Sequence, residues 1–273
     1  MRLFNSDEVC SSSGETLLSA FENCEAMQEK QLFPGHLEIF VSSPKQLEQT
    51  LITLIHNNRI SPSCHLLCVP EDACGFIKEN DSGLSELIDS GGRSGYIIPK
   101  NISGVLNDLL ENDRKALVPV ISSEELSMAV VSPDSIEGIL SEEEARGLCW
   151  LCGNVREIYI PVECENTVED FYVRASSARL TAKEQNGRIS ITAEIKINGS
   201  AEKNDIPPEK MKKFIAKRVS SLCSRAIAKT VSGLHADLFG IQKSIDAKRL
   251  GGGKSWEEII PMLDFYYSIK TAE

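Results

Sequence analysis

Residues 186–197, NGRISITAEIKI, decide how the C-terminal part of this chain folds. Asn186 and Gly187 both tolerate positive φ, which a two-residue hairpin turn requires. Beyond them Ile189, Ile191, Ala193, Ile195 and Ile197 alternate with Ser190, Thr192, Glu194 and Lys196. A period of two puts five apolar side chains on one face of a strand and the polar ones on the other. The run over about 168–183 becomes its antiparallel partner across the turn. A sheet with one apolar face needs a cover, and the sequence supplies one next. Pro207-Pro208-Glu209 opens a long helix ending near Gly233, with Met211, Ile215, Val219, Leu222 and Ala226 as its apolar stripe. Further helical runs are expected over about 234–249 and 255–265, and a last strand over 266–271. Helices laid on one face of an antiparallel sheet satisfy this order.

Upstream, helical and extended signals interleave. Leu17, Leu18, Phe21 and Ala26 have helical spacing, and His36 to Val41 reads as a strand. Ser42-Ser43-Pro44 then offers a cap and a first-turn proline for a helix carrying Leu47, Leu51, Leu54 and Ile55. Residues 65–69 form a short apolar strand ended by Pro70. The Gly- and Ser-rich segment from Ser82 to Gly95 reads as a mobile loop. Ile102, Val105, Leu106, Leu109 and Leu110 mark another helix, with short strands expected at 116–121 and 127–131. The fold class is therefore α+β and multi-domain. A mixed α/β region over 1–155 precedes a sheet-plus-helices domain over 156–273.

Charge supports that division. The 273-residue chain carries a formal net charge of −11. Residues 1–155 hold a net −14 and residues 156–273 a net +3. An acidic N-terminal region repels phosphates, so no nucleic-acid partner is expected. The first ten residues, MRLFNSDEVC, lack the basic and then apolar pattern of a signal peptide, and Cys10 follows no apolar run that would make it a lipidation site. Either the protein is cytosolic or its targeting segment lies outside this chain. Nine cysteines leave at least one unpaired, and their spacing is no disulfide framework, so they read as mostly reduced, buried small apolar residues.

Between the two regions lies Glu137 to Gly153, EGILSEEEARGLCWLCG. Ser141 and Glu144 form a capping box, and Glu142, Glu143 and Glu144 place negative charge at the positive end of the helix dipole. Cys149 and Cys152 have the spacing of a redox or zinc pair. Their place in the later turns of the helix, and the lack of a second such pair, make them structural. Cys64, His65, Cys68 and Cys74 are the most metal-like cluster, but His65 and Cys68 lie three apart on a strand and point to opposite faces. Gly253-Lys254-Ser255 imitates the end of a phosphate-binding loop, yet Lys248 stands where the motif needs glycine. His36, His56, His65 and His235 show no catalytic pattern, and adjacent acids such as Glu124-Glu125 and Glu257-Glu258 read as solvated surface. No catalytic residue, cofactor or metal site is expected. The one interaction surface is the outer face of the 208–231 helix. There Lys210, Lys213 and Lys217 could meet an acidic partner or anionic lipid head groups.

Residues 138–155, GILSEEEARGLCWLCGNV, are similar to the middle segment of the Ger(x)C family, the C subunits of spore germinant receptors. Gly138, Leu140, Glu142, Glu143, Glu144, Arg146, Gly147, Leu148, Trp150, Leu151 and Gly153 stand at matching places. Ala236-Asp237-Leu238-Phe239-Gly240, with Trp256 beyond it, resembles a second signature of the family. GETLLSAFE and LFPGHLEIFV near the start resemble its first domain. The resemblance spans about residues 14 to 267. It implies a non-enzymatic lipoprotein without a cofactor on the outer face of the spore inner membrane. Two integral membrane subunits would be its partners in nutrient-triggered germination. The chain shows neither signal peptide nor lipobox, so an anchor is expected outside it. Arg146 and Asp237, with Ser141 and Glu144, are the motif residues expected to serve as ion-pair or capping groups. The rival expectation is a cytosolic cysteine-based redox or metal-binding protein.

Overall fold

The computed structural model describes residues 10–28, 34–45, 47–56, 60–70, 72–79, 83–111, 114–122, 125–164, 167–203 and 205–272. Glu124 and most of the MRLFNSDEVC segment lie outside the described residues. The chain divides into two compact units, one of Met1–Ile88 with Pro99–Glu137 and one of Asp89–Ile98 with Gly138–Glu273.

The first unit carries α1 (Leu17–Gln28), β1 (Ile39–Ser42), α2 (Leu47–His56), β2 (His65–Cys68) and α3 (Ala73–Glu79). It continues with α4 (Leu84–Arg93, which runs into the second unit), α5 (Ile102–Glu111), β3 (Ala116–Ser122), β4 (Glu125–Val131) and β5 (Ile136–Ile139). The sheet order is β1-β2-β3-β4-β5. β1, β2 and β3 run parallel, and β3 and β4 form an antiparallel ladder. Parallel neighbours require crossovers, and α2 supplies the one between β1 and β2. Its Leu47, Leu51 and Leu54 are buried with Ile102, Val105, Leu106 and Leu109 of α5, against Leu66, Val118, Val120 and Ala129 of the strands. α5 starts where Asn101 Oδ1 accepts the Gly104 amide at 2.7 Å.

Ser82–Gly95, expected to be a loop, is largely the helix α4. Ile88, Gly91 and Gly92 are its buried positions, at helical spacing. Two of these three are glycines, which add nothing to an apolar count and lower helix propensity, so sequence pattern hides this helix.

The second unit contains α6 (Glu142–Leu151), β6 (Ile158–Cys164), β7 (Thr167–Gln185), β8 (Arg188–Ala201), α7 (Pro208–Ile227), α8 (Ile241–Ala247), α9 (Trp256–Ile259) and β9 (Leu263–Ala272). The sheet order is β6-β7-β8-β9. β7 and β8 form the expected hairpin with Gln185 opposite Arg188, and Asn186 and Gly187 take φ of 54° and 74°. Ile189, Ile191, Ala193, Ile195 and Ile197 are all buried. Each isoleucine so buried contributes about 1.5–3 kcal/mol relative to exposure. The sheet is antiparallel from β6 to β8, and β9 adds to β8 in parallel. The helices between β8 and β9 form the crossover that returns the chain in the same direction. Arg188 of β8 holds Asp264 of β9 through two bonds of 2.5 and 2.6 Å.

α7 lies on the apolar face with Met211, Ile215, Val219, Leu222 and Ala226 buried, and its last turn widens into a π-helical segment over Ala228–Gly233. The helix expected over 234–249 is shorter in the structure, 241–247. His235 and Gly240 have positive φ, of 51° and 66°, which breaks any helix through 234–240.

Candidate functional site

α6 is the best-defined local structure of the second unit. Ser141 Oγ accepts the Glu144 amide at 3.4 Å, and Glu144 Oε2 accepts the Ser141 amide at 2.7 Å. At the other end the Gly153 amide donates to the Trp150 carbonyl and the Asn154 amide to the Cys149 carbonyl, with Gly153 at φ 64°. That is a Schellman ending, which needs a left-handed residue at this place. Gly147 is the point where α6 meets α7. A Cβ there would lie 2.1 Å from the Leu222 carbonyl oxygen. Glu143 of α6 pairs with Arg225 of α7 beside this crossing.

The second signature is a cap. Asp237 is buried, and its carboxylate accepts amides of Phe239, Ile241 and Gln242 at 3.2, 2.9 and 2.7 Å. Those donors belong to the turn that opens α8, where amides have no partner inside the helix. Trp256 is buried too, and its indole N–H donates to the His235 carbonyl at 3.1 Å. A third carboxylate escaped sequence reasoning. Glu169 of β7 is buried and accepts the Lys203 amide at 2.7 Å and the Ile206 amide at 2.9 Å, fastening the approach to α7. The signal was an acid at an inward position of a strand whose next inward positions are Phe171 and Val173.

Four of the cysteines are held back from reactivity by burial. Burial pushes the Cys64, Cys68, Cys149 and Cys223 thiols up to about 12, so the thiolate needed for redox or metal chemistry is disfavoured. Cys152 stands exposed at the end of α6. Cys10 and Cys24 are joined as a disulfide, and the other seven are in none. Among the described residues no three His, Cys, Asp or Glu side chains converge as a metal site.

Lys210, Lys213 and Lys217 are all exposed on one side of α7. No acid occurs between Lys210 and Asp237, so the whole length of the helix beyond Glu209 is uniformly basic.

A cleft of about 280 Å³ opens at the edge of the same unit, between residues 94–96, the C-terminal half of α6, the start of β6 and the middle of α7. Arg146 lies over the Tyr96 ring with its guanidinium carbon 4.3 Å from the centroid, and it pairs with Glu142 at 3.0 Å. Trp150, Glu157, Tyr159 and Arg218 share the lining. Tyr159 is 56% exposed and leans on Tyr172 at 5.0 Å between centroids. Of this group sequence reasoning singled out Arg146, and Trp150 as a motif position only. Tyr96 is fifty residues away, just past the stretch read as a loop, and no spacing rule links it to Arg146.

A sheet layered with helices in each of two units, together with capped motif helices, defines an α+β multi-domain protein. The chain belongs to the GerAC-like spore germination family. Residues 127–272 match the family described as spore germination B3/GerAC like, C-terminal, and residues 4–123 match the spore germination protein N-terminal domain. The family is that of germinant receptor C subunits, proteins associated with the spore inner membrane. A structure titled "Crystal Structure of the GerBC protein" is similar in fold, with a TM-score of 0.68 at 14% identity, covering 91% of this chain and 83% of that one. No curated protein matches the chain. Among the described residues no helix is long and apolar enough to cross a membrane.

Proposed function

We propose that this chain is a non-enzymatic subunit of a spore germinant receptor complex and acts in nutrient-triggered germination through protein–protein contacts at the membrane. The observation that carries this reading is the pair of family matches, which follow one another in order over residues 4–123 and 127–272. The structure supports a non-catalytic role in a limited sense: its motif carboxylates cap helices, and its most buried thiols are held protonated. The partners are the membrane subunits of the receptor, on the outer face of the spore inner membrane, with a lipid anchor holding the protein at that surface.

Lys210, Lys213 and Lys217 form the surface turned to an acidic partner or to anionic head groups. Each cation near such a surface contributes about 1 kcal/mol. Replacing all three by glutamate therefore reverses the sign of the contact while leaving the buried stripe of α7 untouched. The test is co-purification of the receptor membrane subunits with tagged wild-type and triple-variant chains from spore membranes. Recovery of the subunits with the wild type and its sharp reduction with the variant is the expected result. Failure to recover them with the wild type contradicts the complex, and equal recovery contradicts the assignment of this face.

A further inference from the structure

The cleft beside α6 has a chemistry that capping and packing do not account for. Arg146 is held on two sides, by the Tyr96 ring beneath it and by Glu142 one turn earlier on the same helix. A guanidinium carries five donors in a planar fork, and one ion pair plus a stacked face leaves donors at its edge. Arg218 enters the same cleft from α7 and makes no ion pair among the described residues. Tyr96, Trp150 and Tyr159 line the same cleft, Tyr96 under Arg146, Trp150 almost wholly buried and Tyr159 exposed. One held guanidinium, Arg146, and one exposed guanidinium, Arg218, in an aromatic-lined cleft suit a carboxylate attached to an apolar body. Glu157, exposed at the rim, is also without an ion pair among the described residues, and it repels a second negative charge. The volume of about 280 Å³ falls just below the range usual for drug-sized small-molecule sites, roughly 300–1,000 Å³, and so suits a small ligand. It is too little for a folded partner segment.

We propose that this cleft binds a small monocarboxylate with an apolar or aromatic body, its carboxylate between Arg146 and Arg218 and its body against Tyr96, Trp150 and Tyr159. The inference does not rest on the receptor reading, because binding is measured on the purified chain alone.

The experiment titrates the full chain with acetate, phenylacetate and indole-3-acetate, with phenylacetamide as the neutral match and phenylsuccinate as the doubly charged one, following the Trp150 and Tyr159 environments by NMR. Phenylacetate or indole-3-acetate is expected to bind saturably, with phenylacetamide and phenylsuccinate about tenfold weaker or more. Arg218→Gln should weaken the carboxylate by a similar factor with an unchanged melting temperature, since Arg218 is exposed and makes no ion pair among the described residues. Arg146→Lys, which keeps the charge but loses the fork and the stacking, should fall between. The proposal is overturned if no monocarboxylate saturates, if acid and amide bind alike, or if Arg218→Gln binds as the wild type does. Loss of germination with carboxylate binding intact would leave this inference standing and would concern the receptor alone.

Discussion

Asp237 shows how much a single side chain does in this chain. Its carboxylate takes three backbone amides in a buried turn. Removing it strands those donors, at a cost of about 1–3 kcal/mol for buried groups left unsatisfied. Asp237→Ala is expected to lower the urea midpoint by that equivalent and Asp237→Asn by less, because the amide oxygen still accepts. The buried thiols make a second prediction at this scale. Burial raises the Cys64, Cys68, Cys149 and Cys223 pKa values to about 12 from a reference near 9. Their protonated forms therefore favour folding fully below pH 9. As pH rises above 9 the unfolded chain loses these protons first, so stability falls progressively toward pH 12. Thermal melts at pH 7, 9 and 10.5 should show a steady midpoint up to 9 and a decline beyond it. Iodoacetamide at neutral pH should mark Cys74 and Cys152 in the native protein and spare those four thiols, which mass spectrometry reads directly.

Among the elements, α6 and α7 set the geometry of the second unit. Gly147 lets the two helices touch backbone to backbone, since a methyl there would sit 2.1 Å from the Leu222 carbonyl oxygen. Gly147→Ala is expected to cost about 1–3 kcal/mol, as overpacked sites do, and Gly147→Val more. Chemical denaturation measures both, and an unchanged midpoint for Gly147→Val would disprove the close crossing. What sequence made legible follows from the same elements. The alternation from Ile189 to Ile197, the Asn186-Gly187 turn, the stripe of α7 and the capping box of α6 are periodic or local signals, and each stands in the structure where its residues put it. Signals that fail are of two kinds. α4 buries glycines, which leave no apolar trace, and residues 234–240 turn because Asp237 captures amides that a helix would otherwise use. The cleft was illegible for a third reason. Tyr96, Arg146 and Arg218 meet only through tertiary structure, and nothing local to any one of them announces the others.

For the whole molecule, the division of charge and the order of family matches point in the same direction. The N-terminal residues are strongly acidic, whereas the outward side of α7 is basic over its whole length beyond Glu209. Under the proposed reading such surfaces matter more than a reactive group; of the buried acids, Asp237 caps α8 and Glu169 fastens the approach to α7. The central claim is that this contact serves nutrient-triggered germination. Its most direct test is the loss of refractility of spores exposed to a panel of nutrients, with the gene for this chain deleted and then restored. The response to at least one nutrient is expected to disappear on deletion and to return with the wild-type chain, sporulation itself being unaffected. Spores that answer every nutrient at the parental rate without this chain would contradict the claim.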